Sequence, residues 1–219
     1  VDQKTGAKIT GILGRKGQLD KSYYQNLHLH NLEQEAGYKI FMFHTSVTEL
    51  KPSHLEAIES QPASFLPKHF NYYAGGHLHH TTTINLPEYG ILTYPGALFP
   101  NNFSEIEKYS QGGYFLITED IQQQVEWIPV QTIAHQKLIL DCTHKSPEII
   151  SFEIGDYFAQ RNVENNLITI RLTGTLEQGN LADINFREIF DRLQSRGTYM
   201  ILKNISQVPG LDVQLLYER

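Results

Sequence analysis

Cysteine is nearly absent from this sequence: Cys142 is the only one in 219 residues. A single cysteine excludes an internal disulfide framework, and it also excludes the thiolate clusters that hold structural zinc. Any bound metal ion would therefore be held by histidine and carboxylate side chains. The sequence also lacks an apolar run approaching the ~18 to 20 residues of a membrane span, so we expect a soluble protein with no membrane partner.

Positive charge is also scarce. With 18 Lys and Arg against 24 Asp and Glu, the net charge of −6 argues against a broad basic surface for nucleic acid, although a local basic patch is compatible with it. Length and globular composition favour two domains, which we place at residues 1–130 and 131–219. The chain opens with Val1 and has no signal-like segment, which leads us to expect a fragment of a longer protein.

The strongest chemical signal is the segment Tyr72–Thr81, in which the pair Gly75-Gly76 precedes histidines at alternate positions. We interpret the glycines as a sharp turn after a strand. In extended backbone, side chains two apart point the same way, so His77 and His79 are predicted to face one cavity while Leu78 faces the core. This pattern is typical of half a metal site. Surface histidines after a glycine-rich turn are the alternative interpretation.

A third histidine, His44, follows the apolar run Tyr38–Phe43. Such a run is typical of a strand covered on both faces, and the C-terminal ends of these strands commonly carry active sites. Upstream, the sequence predicts a strand at 8–13 and one helix from Asp20 to Glu35. The rest of the first domain is predicted to contain strands at 70–74 and 91–94, a short helix from Ser53 to Ser60, an irregular loop over 97–103, and a hairpin of 113–118 with 124–130.

Beyond Val130 the pattern changes to a compact β-α-β-α-β module. Its few histidines and the lack of a glycine-rich phosphate loop indicate a domain that binds or positions a substrate. The fold class is therefore predicted to be α/β. The expected elements are strands at 137–140, 167–172 and 199–202 and helices at 148–160 and 183–194.

The order of these motifs resembles that of the calcineurin-like metallophosphoesterases: a strand ending in His44, then Gly76-His77-Leu78-His79, then Tyr94-Pro95-Gly96, with Phe103 and Glu105 downstream. Within that family it is most similar to the SbcD-like, archaeal double-strand-break repair nucleases. The resemblance implies that residues 1–130 are the rear half of a metallophosphoesterase β-sandwich flanked by helices, the nuclease domain. Residues 131–219 would then be a small α/β capping domain of the DNA-binding type.

The resemblance also implies a function: Mn-dependent phosphodiester hydrolysis in DNA repair, as a 3′–5′ exonuclease and an endonuclease. Two divalent metal ions would be bound, with His44 and His77 ligating one ion and His79 the other. The implied partners are DNA and an SMC-like coiled-coil ATPase, and the intact nuclease would be a homodimer. Its implied location is the prokaryotic cytoplasm, in association with the nucleoid.

Further contacts with substrate are expected from Asn101, Asn102 and Arg15. For the two asparagines a turn is the alternative role, and for the arginine a solvated turn is the alternative.

The sequence departs from the family pattern in three motifs. An Asp-x-His motif, a second metal-bridging Asp and an Asn-His-Asp segment are missing, so no catalytic residue is assigned in this chain. Three imidazoles without a bridging carboxylate cannot hold two divalent ions close together against their repulsion. We therefore expect the C-terminal portion of a nuclease, inert alone. The alternatives are a small-molecule phosphodiesterase or phosphatase of the same superfamily and a noncatalytic scaffold.

Overall fold

A computed structural model describes residues 1–15, 21–52, 59–118 and 124–208. The fold is mixed α/β, as predicted, and it divides into two compact units. Val1–Phe99 and Gly112–Val130 form the first unit, and Pro100–Gln111 joins the chain from Gln131 onward in the second. Within the described ranges, every helix is too short or too polar to cross a membrane.

The first unit is built on a five-stranded sheet with the order β1-β2-β3-β5-β4. The first four strands in this order are parallel, and β4 pairs antiparallel with β5. A separate antiparallel pair, β6 and β7, confirms the predicted hairpin strands. The strands are β1 (Lys8–Gly11), β2 (Lys39–His44), β3 (Tyr72–Gly76), β4 (Thr81–Asn85), β5 (Ile91–Pro95), β6 (Gly112–Thr118) and β7 (Gln124–Val130).

The single helix predicted between β1 and β2 is wrong, because two short helices occupy that stretch: α1 (Lys21–Gln25) and α2 (Leu29–Gln34). The side-chain amide of Asn26 donates to the Ser22 carbonyl at 2.7 Å, and such local bonds compete with the helical ladder. Asp20, the expected N-cap, lies outside the described residues, as do positions 53–58 of the predicted Ser53–Ser60 helix.

Strand β2 alternates in burial, so the prediction that both of its faces are covered is wrong. Phe41 and Phe43 lie in the core, whereas Met42 is 52% exposed and His44 is also exposed. On the neighbouring β1, Ile9 pairs with Ile40 and is likewise exposed, so it shares the face of Met42. An uninterrupted apolar run does not distinguish a doubly covered strand from one with an open apolar face.

The second unit confirms the predicted β-α-β-α-β module. Its three strands are parallel, with β9 in the centre. Ile168 and Ile170 of β9 are fully buried in one apolar core with Ile154 of α4 and Ile189 of α5. The elements are β8 (Ala134–Asp141), α4 (Pro147–Ala159), β9 (Asn166–Thr173), α5 (Phe186–Gln194) and β10 (Met200–Gln207).

A further helix, α3 (Phe103–Tyr109), belongs to the second unit, and its start overlaps the loop predicted over 97–103. The Asn102 side chain caps it by accepting a hydrogen bond from the Glu105 amide at 3.0 Å. Glu107 of α3 forms an ion pair with Arg171 of β9, and both side chains are almost buried. This ion pair joins the helix to the central strand of its sheet, and the Arg171 guanidinium also lies over the Phe103 ring of α3, 5.0 Å from its centroid.

Candidate metal site at the edge of the first sheet

His44 and His77 meet at the carboxyl edge of the parallel sheet. Strands β2 and β3 run in register, with His44 opposite Gly76, so the next residue of β3 lies beside the end of β2. The two imidazole rings are 5.6 Å apart between centroids and lie edge to face, at 71°. Both residues are exposed at this edge. The fold thus brings together two of the three histidines that the sequence predicts as ligands.

Two glycines make room for the His44 imidazole. A Cβ atom on Gly76 would lie 2.6 Å from His44 Nδ1, and one on Gly14, beyond the end of β1, would lie 2.7 Å from the His44 Cβ. Real Cβ atoms do not approach other atoms this closely. Because neither glycine carries a side chain, the loop after β1 and the end of β3 pass close to the ring.

The backbone around the second histidine differs from the prediction. The glycine pair belongs to β3 itself, and residues 77–80 form the link to β4 instead of extended strand. His77 has φ +96°, a conformation that residues other than glycine rarely adopt and that often occurs at functional sites. The alternation argument for His77 and His79 therefore does not apply, although Leu78 is buried as predicted. His79 is exposed.

The spacing of the two rings suits a shared metal ion. Imidazole nitrogens bind an ion such as zinc at about 2.1 Å. The centroids of two imidazole rings that ligate one tetrahedral ion therefore lie roughly 5 Å apart. However, the described residues hold no group of three or more His, Cys, Asp or Glu side chains arranged to bind a metal. The donors present in this part of the chain do not by themselves fit a two-metal centre, and we assign no catalytic step to them.

Tyr94 of β5 fixes the segment that follows His44. Its hydroxyl donates to the Thr45 carbonyl at 2.6 Å and accepts from the Val47 amide at 2.9 Å. The side chain is fully buried, and burial raises the pKa of its hydroxyl, so it remains a neutral donor. Sequence analysis does not reveal this positioning role, because a tyrosine in an apolar strand is ordinarily a core residue. The Tyr94-Pro95-Gly96 motif marks this tyrosine in the sequence but does not indicate which groups its hydroxyl contacts.

The three residues predicted to contact substrate have other described roles. The Arg15 guanidinium lies over the Tyr23 ring, 5.1 Å from its centroid. The Asn102 side chain caps α3, and the backbone N–H of Asn101 donates to the Glu105 carboxylate at 3.3 Å, both within the second unit. Their contact with substrate stays a prediction.

No model of a known protein family matches this sequence, and no curated protein matches it either.

Proposed function

We propose that His44 and His77 belong to a metal centre for phosphodiester hydrolysis of the calcineurin-like metallophosphoesterase type. The observation that supports this is their adjacency at the carboxyl edge of a parallel sheet, 5.6 Å apart between ring centroids. Open α/β sheets commonly bind ligands beyond this edge. Neutral imidazoles suit ions such as Zn or Fe, and carboxylates suit Mn, which is the ion we propose for the centre once its carboxylates are present.

In this proposal the carboxylates that complete the centre come from outside this chain, so the chain alone is inactive. A bridging carboxylate offsets the repulsion between two divalent ions, and imidazoles cannot do this. The exposed face of the first sheet supports the same idea. Ile9 and Met42 lie half exposed on it, and a parallel sheet is normally covered on both faces. The missing half of a β-sandwich would cover this face and would place its carboxylates beside His44.

The proposed activity of the intact protein is that of a DNA break-repair nuclease, working as a homodimer with an SMC-like coiled-coil ATPase. The second unit would be its capping domain. A module with its own core of parallel strands and two helices suits a positioning role. His79 is proposed as a ligand of the second ion, and Asn101, Asn102 and Arg15 as contacts to the DNA.

The test uses the full-length gene product with Mn²⁺, assayed on duplex DNA with 3′ ends and on a small chromogenic phosphodiester. We expect metal-dependent cleavage of the DNA. Cleavage of the small ester alone would contradict the nuclease proposal and would favour a small-molecule phosphodiesterase. If the folded protein cleaves neither the DNA nor the small ester, the result would favour a noncatalytic scaffold.

Two histidine variants separate the metal site from general surface effects. His77→Ala in the full-length protein should lose metal occupancy and activity while it remains folded. His30→Ala is the matched control, since His30 is also exposed but lies on α2. Full metal stoichiometry in His77→Ala would overturn the ligand assignment, whatever the substrate.

A further inference from the structure

Helix α4 presents apolar side chains to solvent as well as to the core. Ile150, Ile154 and Phe158 point into the core of the second unit and are at most 1% exposed. On the opposite side, Ile149 is 46% exposed and Phe152 is 72% exposed. Their spacing of three places them on one stripe of the helix. A helix that is apolar on both sides is typical of one covered by a further surface.

A groove of about 320 Å³ lies directly beside Phe152, between α4 and α5. Its floor includes the buried side chains of Ile154 and Leu193. Gly155 opens it, because a Cβ there would have only Arg192 Nη1 nearby, at 3.8 Å. An exposed aromatic ring and an apolar recess that could receive such a ring thus lie three residues apart on one helix.

The rim of the groove carries charges of both signs that form no ion pair with a described residue: the carboxylates of Asp156 and Glu188 and the guanidinium of Arg192. The Glu188 carboxylate accepts a hydrogen bond from the Asn185 side-chain amide at 2.7 Å. Asp156 lies next to Gly155 on α4, and Arg192 faces the groove from α5. The other arginine of the rim, Arg196, is already engaged, donating to the carbonyls of Phe158 and Arg161.

We infer that this α4–α5 surface binds a second copy of the chain. In a two-fold interface the same patch meets itself, so one patch must supply both the projecting group and the recess, and both charges. This surface does so. Phe152 of each copy would enter the groove beside Gly155 of the other, and Asp156 of each copy would pair with Arg192 of the other. The inference rests on the second unit alone and does not depend on the proposed hydrolysis.

The expected association is weak. One helix pair with one aromatic anchor on each side is smaller than a standard stable interface, and exposed ion pairs contribute little. A dissociation constant on the order of tens of micromolar is therefore expected.

The first test is sedimentation equilibrium of the chain at concentrations between about 5 and 500 μM. The chain should pass from monomer to dimer over this range, and Phe152→Ser should weaken the dimer at least ~tenfold. The matched control is Tyr199→Ser, another exposed aromatic of the second unit, 67% exposed and not lining the groove. It should leave the association unchanged. A wild-type chain that stays monomeric, or a Phe152→Ser chain that dimerises normally, would overturn the inference.

The second test exchanges charges. Asp156→Arg and Arg192→Asp should each weaken self-association several-fold, because each variant faces a like charge in its own homodimer. An equimolar mixture of the two variants should dimerise as well as the wild type, since every contact in the mixed dimer again joins opposite charges. Failure of the mixture to restore association, with both variants folded by circular dichroism, would exclude the proposed pairing.

Discussion

Gly76 lies opposite His44 in the register of β3 and β2, and no methyl group fits between them. The adjacent Gly75 faces the other way, where a Cβ would lie 2.7 Å from the rings of Phe43 and Tyr94. The two neighbouring glycines thus make room for different side chains on opposite faces of the strand. Gly76 leaves space for an imidazole at the sheet edge, and Gly75 leaves space for the aromatic core.

The two glycines should respond differently to alanine. Gly76→Ala displaces an exposed imidazole, so the free energy of unfolding should change by less than about 1 kcal/mol while metal affinity falls at least ~tenfold. Gly75→Ala overpacks the core and should cost about 1–3 kcal/mol. Urea unfolding followed by fluorescence of Trp127, the only tryptophan, reports on this unit. Equal effects of the two substitutions would contradict the distinction.

Removing the Tyr94 hydroxyl should loosen the segment after His44. Tyr94→Phe leaves the Thr45 carbonyl and the Val47 amide without their buried partner, which should cost about 1–3 kcal/mol. Tyr114→Phe, at a side chain 46% exposed in the same unit, is the matched control and should change stability little. Wild-type stability in the Tyr94→Phe protein would refute the positioning role.

The ion pair of α3 should be necessary for that helix to stay folded. The Arg171 guanidinium donates three hydrogen bonds to the Glu107 carboxylate, and the Lys137 ammonium donates to the Glu107 carbonyl at 3.2 Å. Glu107→Ala leaves a nearly buried guanidinium unpaired, at a cost of about 3–5 kcal/mol. Hydrogen exchange of the Ile106 and Ser110 amides should accelerate strongly.

The exposed pair Lys68–Glu88 provides the contrast for this prediction. Glu88→Ala should change stability by no more than about 1 kcal/mol, because solvent screens that pair. Unchanged protection of the α3 amides in Glu107→Ala would show that α3 does not depend on the pair.

The second unit should lose stability in mild acid because of His135. Its two ring nitrogens contact the Ser110 and Thr169 hydroxyls at 3.2 and 2.9 Å. Burial, followed by the charge of Lys137, lowers the pKa of His135 below its ordinary value of 6.5, although Glu107 opposes this. The unfolded chain therefore binds the proton more readily than the folded one. The contribution of His135 to the free energy of unfolding is fully present above pH 6.5. It is lost as the pH falls from there through the lowered pKa of His135 in the folded protein.

Urea unfolding of this unit can be followed through the reactivity of Cys142, which is buried and is the only cysteine. His135→Gln should flatten the dependence of the unfolding midpoint on pH between 7.5 and 5.5, pH values chosen on either side of the ordinary histidine pKa of about 6.5. His144→Gln changes an exposed histidine and should leave the pH dependence of the unfolding midpoint as it is in the wild type. An unchanged slope in His135→Gln would exclude His135 as the source.

The parts of the fold that sequence predicted well are those where burial alone determines the pattern. The β-α-β-α-β module was predicted because Leu167–Leu172 is a compact apolar strand between two helices with clear polar boundaries. By contrast, the α3 helix is held by Glu107 and Arg171, which lie 64 residues apart. A polar contact over that separation leaves no periodic signal in the sequence.

The sequence predicted which histidines belong to the candidate site better than it predicted the backbone conformation that positions them. His44 is the last residue of its strand, as expected, and the strand register brings it to Gly76 and His77. The left-handed backbone of His77 could not be foreseen, because a histidine after two glycines gives no sign of a positive φ. The open face of β2 was also missed, since Met42 is as apolar as its buried neighbours.

The most direct test of the central claim is paramagnetic broadening of the histidine ring signals in NMR spectra of this chain, with substoichiometric Mn²⁺. A weakly bound ion suffices for this measurement, so an incomplete centre can still be detected. If His44 and His77 share an ion, their signals should broaden first and together, while those of His30 and His144 stay sharp. Uniform broadening of all histidines, or broadening of His44 without His77, would contradict the shared site.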